Sequence, residues 1–314
     1  MDAIITSFEL LGTTLIVPMA ILGMTWGIFG GAMPGLSPSI TMALLLPFTY
    51  TMDSIPALVL LTSTYVGAEY GGSIPAILIR TPGTNASAAT MIDGYEMKKQ
   101  GKAGEALGIS LQASSVGNFV GILCVILLTA PLSQLALAFK PTSYFALGIL
   151  GLSVIVSVSE GSLLKGVIAA LIGLMIATIG TDPVSGVGRF TYGNPDLLTG
   201  VPIILVMVGL FAVGEILEQM ASKEDWEKVS GQVTRLRWPS WVVQKKIMLA
   251  NAIGAVIGVF CGIMPGAGGT VASFMSYSEA RRFSRTPEEF GKGSVEGVAA
   301  PECANNADAG VGLI

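Results

Sequence analysis

An all-α, polytopic helical membrane protein with inverted repeats and broken, re-entrant helices is the fold this sequence predicts. Three observations predict it. The chain is 52% hydrophobic and only 12% charged over 314 residues, half the charge of about 25% with which a soluble domain covers itself. Its apolar residues are gathered into long runs, and a helix crosses a bilayer on about 20 such residues. A glycine-rich motif ending in Met-Pro-Gly occurs twice.

Spans are expected at roughly 8–33, 55–79, 106–138, 143–159, 163–181, 201–220 and 246–264. The start, MDAIITSFELLG, lacks a basic stretch and reads as an uncleaved first span rather than a signal peptide. Shorter pieces at 38–50 and 267–280 follow Pro-Gly breaks and suit return arms. The run 106–138 is too long for one upright helix, which implies a tilted span or a preceding interfacial helix. Lys and Arg collect in cytoplasmic loops. Lys98, Lys99 and Lys102 fall in one loop, Lys223 to Lys246 in a second, and Arg281 to Lys292 in a third. Placing all three inside gives a consistent path, with an external N-terminus and only Lys140 and Arg189 facing out. Loop 221–246 reads as a solvated linker or short amphipathic helix anchored by Trp226, Trp238 and Trp241. The organisation expected is a first repeat with scaffold spans over 1–222, a cytoplasmic loop over 223–245, and the start of a second, inverted repeat over 246–314.

Residues 23–35 (GMTWGIFGGAMPG) and 254–266 (GAVIGVFCGIMPG) share Gly23/Gly254, Gly27/Gly258, Phe29/Phe260, Gly31/Gly262, Met33/Met264, Pro34/Pro265 and Gly35/Gly266. Each copy carries overlapping Gly-x3-Gly patterns that bare a helix face for close packing. The sidedness drawn from the charges makes the copies enter the bilayer from opposite sides, provided each break turns the chain back. Inverted repeats with broken helices are an architecture of secondary transporters.

Proline lacks a backbone donor and glycine tolerates unusual dihedrals, so a Pro-Gly pair in an apolar run frees main-chain groups that must line a cavity or be buried in protein. Three breaks occur: Pro34, Gly35, Ser37 and Ser39; Pro82, Gly83, Thr84, Asn85 and Ser87; and Pro265, Gly266, Gly268, Gly269 and Thr270. The freed amides favour an anion, and the hydroxyls suit a carboxylate or Na⁺. The competing reading is kinked helices whose Ser and Thr bond locally. Tyr70, Gly71, Gly72 and Ser73 lie between Glu69 and Arg80. Arg80 suits a solute carboxylate, an ion pair with Glu69 or Asp93, or snorkelling to the interface. Glu302, Asn305 and Asn306 offer oxygens for a cation, or a helix N-terminal turn in a cytoplasmic loop.

The absence of histidine removes Ser-His, His-metal and His-relay chemistry. Cys124, Cys261 and Cys303 have no metal-ligand spacing and read as packing residues. Net charge −4 gives no footing for nucleic acid. A non-enzymatic carrier is expected, with a channel or stand-alone exchanger as the alternative.

Two blocks carry a resemblance. AEYGGSIPAILIRTPGTNASAATMIDGYEMKKQGKAGEALG and GIMPGAGGTVASFMSYSEARRFSRTPEEFGKGSVEGVAAPECANNADAGVGLI resemble the large membrane subunit of tripartite tricarboxylate transporters, the TctA type. The resemblance implies a multi-pass protein of the bacterial inner membrane that works with a small membrane subunit and a periplasmic solute-binding protein. It implies cation-driven uptake of citrate or other carboxylates by alternating access. It places the solute and ion sites at the Pro-Gly breaks and the YGGS and ANN segments. Coupling is to Na⁺ or H⁺ with no other cofactor. Family chains are longer, so the sequence is expected to be an N-terminal fragment.

Overall fold

A computed structural model of the chain describes residues 15–33, 36–137, 163–182, 185–201, 235–263 and 268–312, together with 142, 145, 146 and 149 singly. The described residues are almost wholly helical. The chain divides into two compact units, one of Met1–Gln134 with Glu224–Ile314, the other of Leu135–Lys223.

The first unit holds α1 (Ile16–Gly31), α2 (Pro38–Ala43), α3 (Leu46–Thr49), α4 (Ser54–Gly71), α5 (Ser73–Ile79), α6 (Ser87–Lys99) and α7 (from Ala103). The helices α9 (Trp241–Ile263), α10 (Gly268–Phe283) and α11 (Val295–Val311) complete it. The second unit contains α8 (Leu163–Ala177) and a two-residue antiparallel ladder pairing Gly180 with Arg189 and Thr181 with Gly188. There the Thr181 hydroxyl donates to Leu198 O, and Arg189 pairs with Asp182 at 3.1 Å.

Helices α7 (over Ala103–Thr129) and α9 are long and apolar enough to cross a membrane. Their facing pattern is that of a lipid environment. On α9, Met248, Leu249, Val256 and Phe260 point outward, while Ala250, Asn251, Gly254 and Gly258 are buried. Large apolar side chains outside and small or polar ones inside is the reverse of a water-soluble helix. Both arms of the sequence repeat use this inversion in the same way. A Cβ on Gly23, Gly27 or Gly31 would strike the carbonyl of Leu60, Thr64 or Ala68 on α4. One on Gly254, Gly258 or Gly262 would meet the carbonyl of Ala300, Ala304 or Asp308 on α11. Both contacts run in the same chain direction, so α1 lies parallel to α4 and α9 parallel to α11. The two partner helices are related by a constant offset of 240 residues.

At the first break the chain reverses. α1 ends at Gly31, Ser37 caps α2 by accepting from Ile40 N at 3.2 Å, and Pro38 occupies the first turn. The Trp26 indole donates to Thr41 O at 3.3 Å, and Gly30 abuts the Thr41 side chain. An unbroken helix would hold residues 26 and 41 about 22 Å apart, so α1 and α2 form a hairpin. At the second break α10 likewise returns beside α9. Cys261 and Ala272 share one apolar cluster, Ile247 and Ala280 another, and Lys246 at the start of α9 pairs with Glu289 beyond α10 at 2.6 Å. Pro34, Gly35, Pro265 and Gly266 themselves lie outside the described residues.

Several expected boundaries move. The run 106–138 belongs to a single helix, Ala103–Leu137, of 35 residues and about 52 Å. The span 55–79 is divided at Gly72. Most of spans 143–159 and 201–220, and of loop 221–246 with Trp226, falls outside the described residues. Of the rest of that loop, 235–240 has no regular secondary structure and lies on α7, while 241–246, with Trp241, is the first part of α9. Gly104 and Gly108 meet the carbonyls of Arg235 and Arg237, and Arg237 N donates to Gly104 O. Helices α6 and α11 were not expected as elements. Their buried residues are small or polar, so a search for apolar spans passes over them.

Candidate functional site

Every residue of α11 from Glu296 to Val311 is buried, although the helix carries Glu296, Glu302, Asn305, Asn306 and Asp308. It tolerates such enclosure because its other residues are almost all Ala, Gly, Val and Cys, so neighbouring backbones come close. Gly117 and Gly121 of α7 fit against the carbonyls of Cys303 and Ala307, and α9 packs on the adjacent face through Gly254 and Gly258. Ser294 caps the helix by accepting from Gly297 N. Asp93 of α6 completes the cap, accepting from Gly293 N and Ser294 N at 2.8 Å each and from Tyr277 Oη at 2.9 Å.

Polar groups need partners when buried, and α11 finds them in two directions. Towards α6 and α7, Glu302 Oε1 accepts from Thr90 Oγ1 at 2.6 Å. Glu302 Oε2 accepts from Ser114 Oγ at 3.0 Å and Ser110 Oγ at 3.2 Å. Ser110 is joined to Ser73 at 2.6 Å. The Asn306 amide donates to Ser114 Oγ at 3.0 Å, and its oxygen accepts from Asn118 at 2.9 Å. Towards α4, Asn305 Nδ2 donates to Glu69 Oε2 at 2.9 Å. Asn305 Oδ1 is buried without a partner and faces Gly269, at the first turn of α10. Glu69 meets Asn305 while Ser73 reaches Glu302 through Ser110, so α4 and α5 run antiparallel to α11. The two Gly-matched helix pairs thus cross in opposite directions.

The residues singled out in the sequence fall into three groups. Tyr70, Gly71, Gly72, Ser73, Gly83 and Thr84 are brought together beside Gly31. Gly83 N donates to Gly72 O at 3.0 Å, Gly83 abuts Gly31 O, Thr84 abuts Gly72, and Ser73 Oγ donates to Tyr70 O. Gly268, Gly269 and Thr270 open α10 against Asn305. A third group serves local structure. Ser37 is a helix cap. Thr84 and Ser87 bond reciprocally at the start of α6. Asn85 is exposed, Pro82 and Ser39 are half-buried. Arg80 closes α5 in the left-handed region at φ 58°. It is exposed and lies over the Tyr95 ring at 5.8 Å, and it makes no ion pair among the described residues. The trio Glu302, Asn305 and Asn306 is split. Glu302 and Asn306 share one network, and Asn305 turns to Glu69.

The model of the tripartite tricarboxylate transporter TctA family matches residues 17–314. The chain belongs to that family. An uncharacterized 52.8 kDa protein in the TAR-I ttuC' 3' region of Agrobacterium vitis is 39% identical over 307 residues, 98% of this chain and 61% of that protein. The chain therefore spans about three fifths of that relative's length. An uncharacterized protein in the TAR-II ttuC' 3' region of the same organism is 51% identical over 57 residues, 18% of this chain and 24% of that protein. No solved structure matches.

In this TctA-family chain the site also draws on residues that sequence reasoning left out of its site. Ser110, Ser114 and Asn118 lie four apart on α7, a polar stripe on one face of an apolar helix that the i, i+4 rule makes readable. Glu69 stood next to the YGGS segment. Thr90 and Asp308 gave no spacing signal of their own, because Thr90 meets Glu302 from a helix more than 200 residues away and Asp308 faces Gly269 on an opposing turn.

Proposed function

We propose that this chain forms the core of the large membrane subunit of a binding-protein-dependent secondary transporter. It carries tricarboxylates or other carboxylates across the bacterial inner membrane by cation-driven symport. Family membership supports a membrane transporter component, and the family's tripartite name supports partner subunits. The small membrane subunit and the periplasmic solute-binding protein are those partners in this reading.

One observation carries it. The two Gly-matched helix pairs run in opposite directions, and polar side chains are buried where Glu69 of α4 meets Asn305 of α11. Glu69, Glu302 and Asp308 are at most 8% exposed, with no Lys or Arg paired to them among the described residues. Uncompensated carboxylates inside a membrane protein are expensive and mark ion or substrate paths. Opposed repeats with interrupted helices are a common architecture of alternating-access carriers. In this mechanism the starts of the return arms face the solute carboxylates, and the buried acids take the cation. The hydroxyl cradle of Thr90, Ser110 and Ser114 keeps Glu302 oriented, and rocking of one repeat against the other exposes the site to each side in turn.

The test is uptake of radiolabelled citrate into proteoliposomes holding the full-length protein and the small subunit, with and without the binding protein. Uptake is expected to need the binding protein and a Na⁺ or proton gradient. An initial rate unchanged after both gradients are collapsed would refute symport. Uptake unchanged without the binding protein would leave a stand-alone exchanger or channel instead.

A further inference from the structure

The crossing contains a second polar constellation, distinct from the Glu302 network. Asn305 is 2% exposed, and its Nδ2 is committed to Glu69 Oε2. That bond fixes the amide so that Oδ1 faces away from Glu69 and towards Gly269, where it has no partner. Asp308, three residues on and 8% exposed, brings Oδ2 within 3.4 Å of the place a Gly269 Cβ would occupy. Its carboxylate makes no side-chain hydrogen bond and no ion pair among the described residues. Residues 305 and 308 are one turn apart on α11, so both oxygens address the same space beside Gly269. The glycine leaves room there, since a Cβ would displace Asn305 Oδ1.

The Glu302 carboxylate presents a contrast. Its oxygens accept three hydroxyl bonds and so have little capacity left. At Asn305 the buried Oδ1 is an orphaned acceptor, and the Asp308 carboxylate lies beside it without a side-chain partner among the described residues, an arrangement that favours a hard cation bound by oxygen ligands. Two neighbouring acids, Glu69 and Asp308, supply negative charge with no basic side chain paired to them among the described residues. A proton links two oxygens at most, whereas here a carboxamide oxygen and a carboxylate converge with Glu69 behind them. The sequence has no histidine, and among the described residues no three His, Cys, Asp or Glu side chains form a metal cluster. That composition suits an alkali cation rather than a transition metal.

We infer that Asn305 Oδ1 and the Asp308 carboxylate are ligands of a Na⁺ site beside Gly269, with Glu69 as the positioning residue that aims the Asn305 amide. The inference rests on the carrier reading only in naming the bound ion as the coupling ion. Binding also sets an order of events. Until the cation arrives, Glu69 and Asp308 repel any carboxylate approaching the start of α10, so the ion precedes the solute.

The test is Na⁺ binding to the purified full-length protein in detergent, without solute or partner subunits, followed by thermal unfolding at constant ionic strength in NaCl and choline chloride mixtures. Wild type is expected to show saturable stabilisation by Na⁺ that choline does not reproduce. Asp308→Asn, Asn305→Ala and Gly269→Ala are each expected to raise the Na⁺ midpoint about tenfold or more. The surface variant Glu289→Gln, which removes the same charge elsewhere, leaves the midpoint unchanged. Identical curves in Na⁺ and choline, or wild-type midpoints in folded Asp308→Asn and Asn305→Ala, would overturn the site. If Asp308→Asn does not fold, Asn305→Ala and Gly269→Ala decide the matter alone, and the wild-type comparison stands regardless. No Na⁺ binding with gradient-driven uptake intact would refute this site and spare the carrier reading. Na⁺ binding without gradient-dependent uptake would do the reverse.

Discussion

Replacing Gly258 by alanine tests the packing that holds the site. Its new Cβ would strike Ala304 O and come within 2.8 Å of Ala307 Cβ. The first obstacle is main chain of a wholly buried helix, so it cannot rotate away, and α9 must shift outward from α11. Overpacking of this kind costs about 1–3 kcal/mol. Against it stands the helix propensity of alanine over glycine, about 1 kcal/mol. Gly173→Ala on α8 isolates that second effect, because nothing lies within 4 Å of the added methyl. Gly173→Ala is therefore expected to be neutral or stabilising and Gly258→Ala destabilising, with about 1–3 kcal/mol between them. Gly262→Ala, whose Cβ would stand 3.0 Å from Asp308 O, should fall between the two. Reversible unfolding in mixed micelles, read by Trp fluorescence, gives the three values. If Gly258→Ala and Gly173→Ala change stability equally, close approach of the backbones is not what holds α9 to α11.

Other outcomes follow from single contacts. Ser114→Ala removes one bond to Glu302 and one from Asn306 and should cost about 2–4 kcal/mol. Ser115→Ala, one residue along, loses only a local bond to Leu111 O and should fall within about 0.5 kcal/mol of wild type; equal losses would count against the network. Ser87→Ala breaks the reciprocal turn with Thr84 and should destabilise by about 1 kcal/mol, measured by the same unfolding. The Lys246 bond holds the Glu289 carboxyl below its ordinary range. Its contribution is therefore present above an unfolded value of about 4.3 and is lost as pH falls through the lower folded value. With side chains 37% and 46% exposed, the pair is worth at most about 1 kcal/mol. Lys246→Ala should thus change stability little at pH 7, and its difference from wild type should vanish only in acid.

The helical membrane class and the Gly-matched repeat were legible because composition and small-residue spacing act locally, whereas the turning back of the chain at the breaks was an assumption that the Trp26–Thr41 contact supports at the first of them. The repeat's deeper extent was not. Leu60, Thr64 and Ala68 share no residue type with Ala300, Ala304 and Asp308 except alanine at shifted positions, since what packs against the glycines is the carbonyl, which every residue has. Helix α11 was hidden for a related reason. Hydropathy windows look for apolar side chains, whereas this helix is buried by smallness, with Asn and Glu answered by hydroxyls from α6 and α7. Arg80 misled in the other direction. A lone cation in an apolar stretch invites an anionic partner, yet it ends a helix and rests on Tyr95.

The backbone-to-backbone seams have a mechanical consequence. With only glycines and small side chains between α1 and α4, and between α9 and α11, there is little cushion to shear, so each pair is expected to move as a stiff plank. The bond that joins one plank to the other is Asn305 to Glu69, beside hydroxyls of α6 and α7 that hold Glu302, and these rotatable groups can exchange partners without repacking carbon. Compliance is thereby concentrated at the polar joint, and the planks transmit its smallest adjustments to the membrane surfaces.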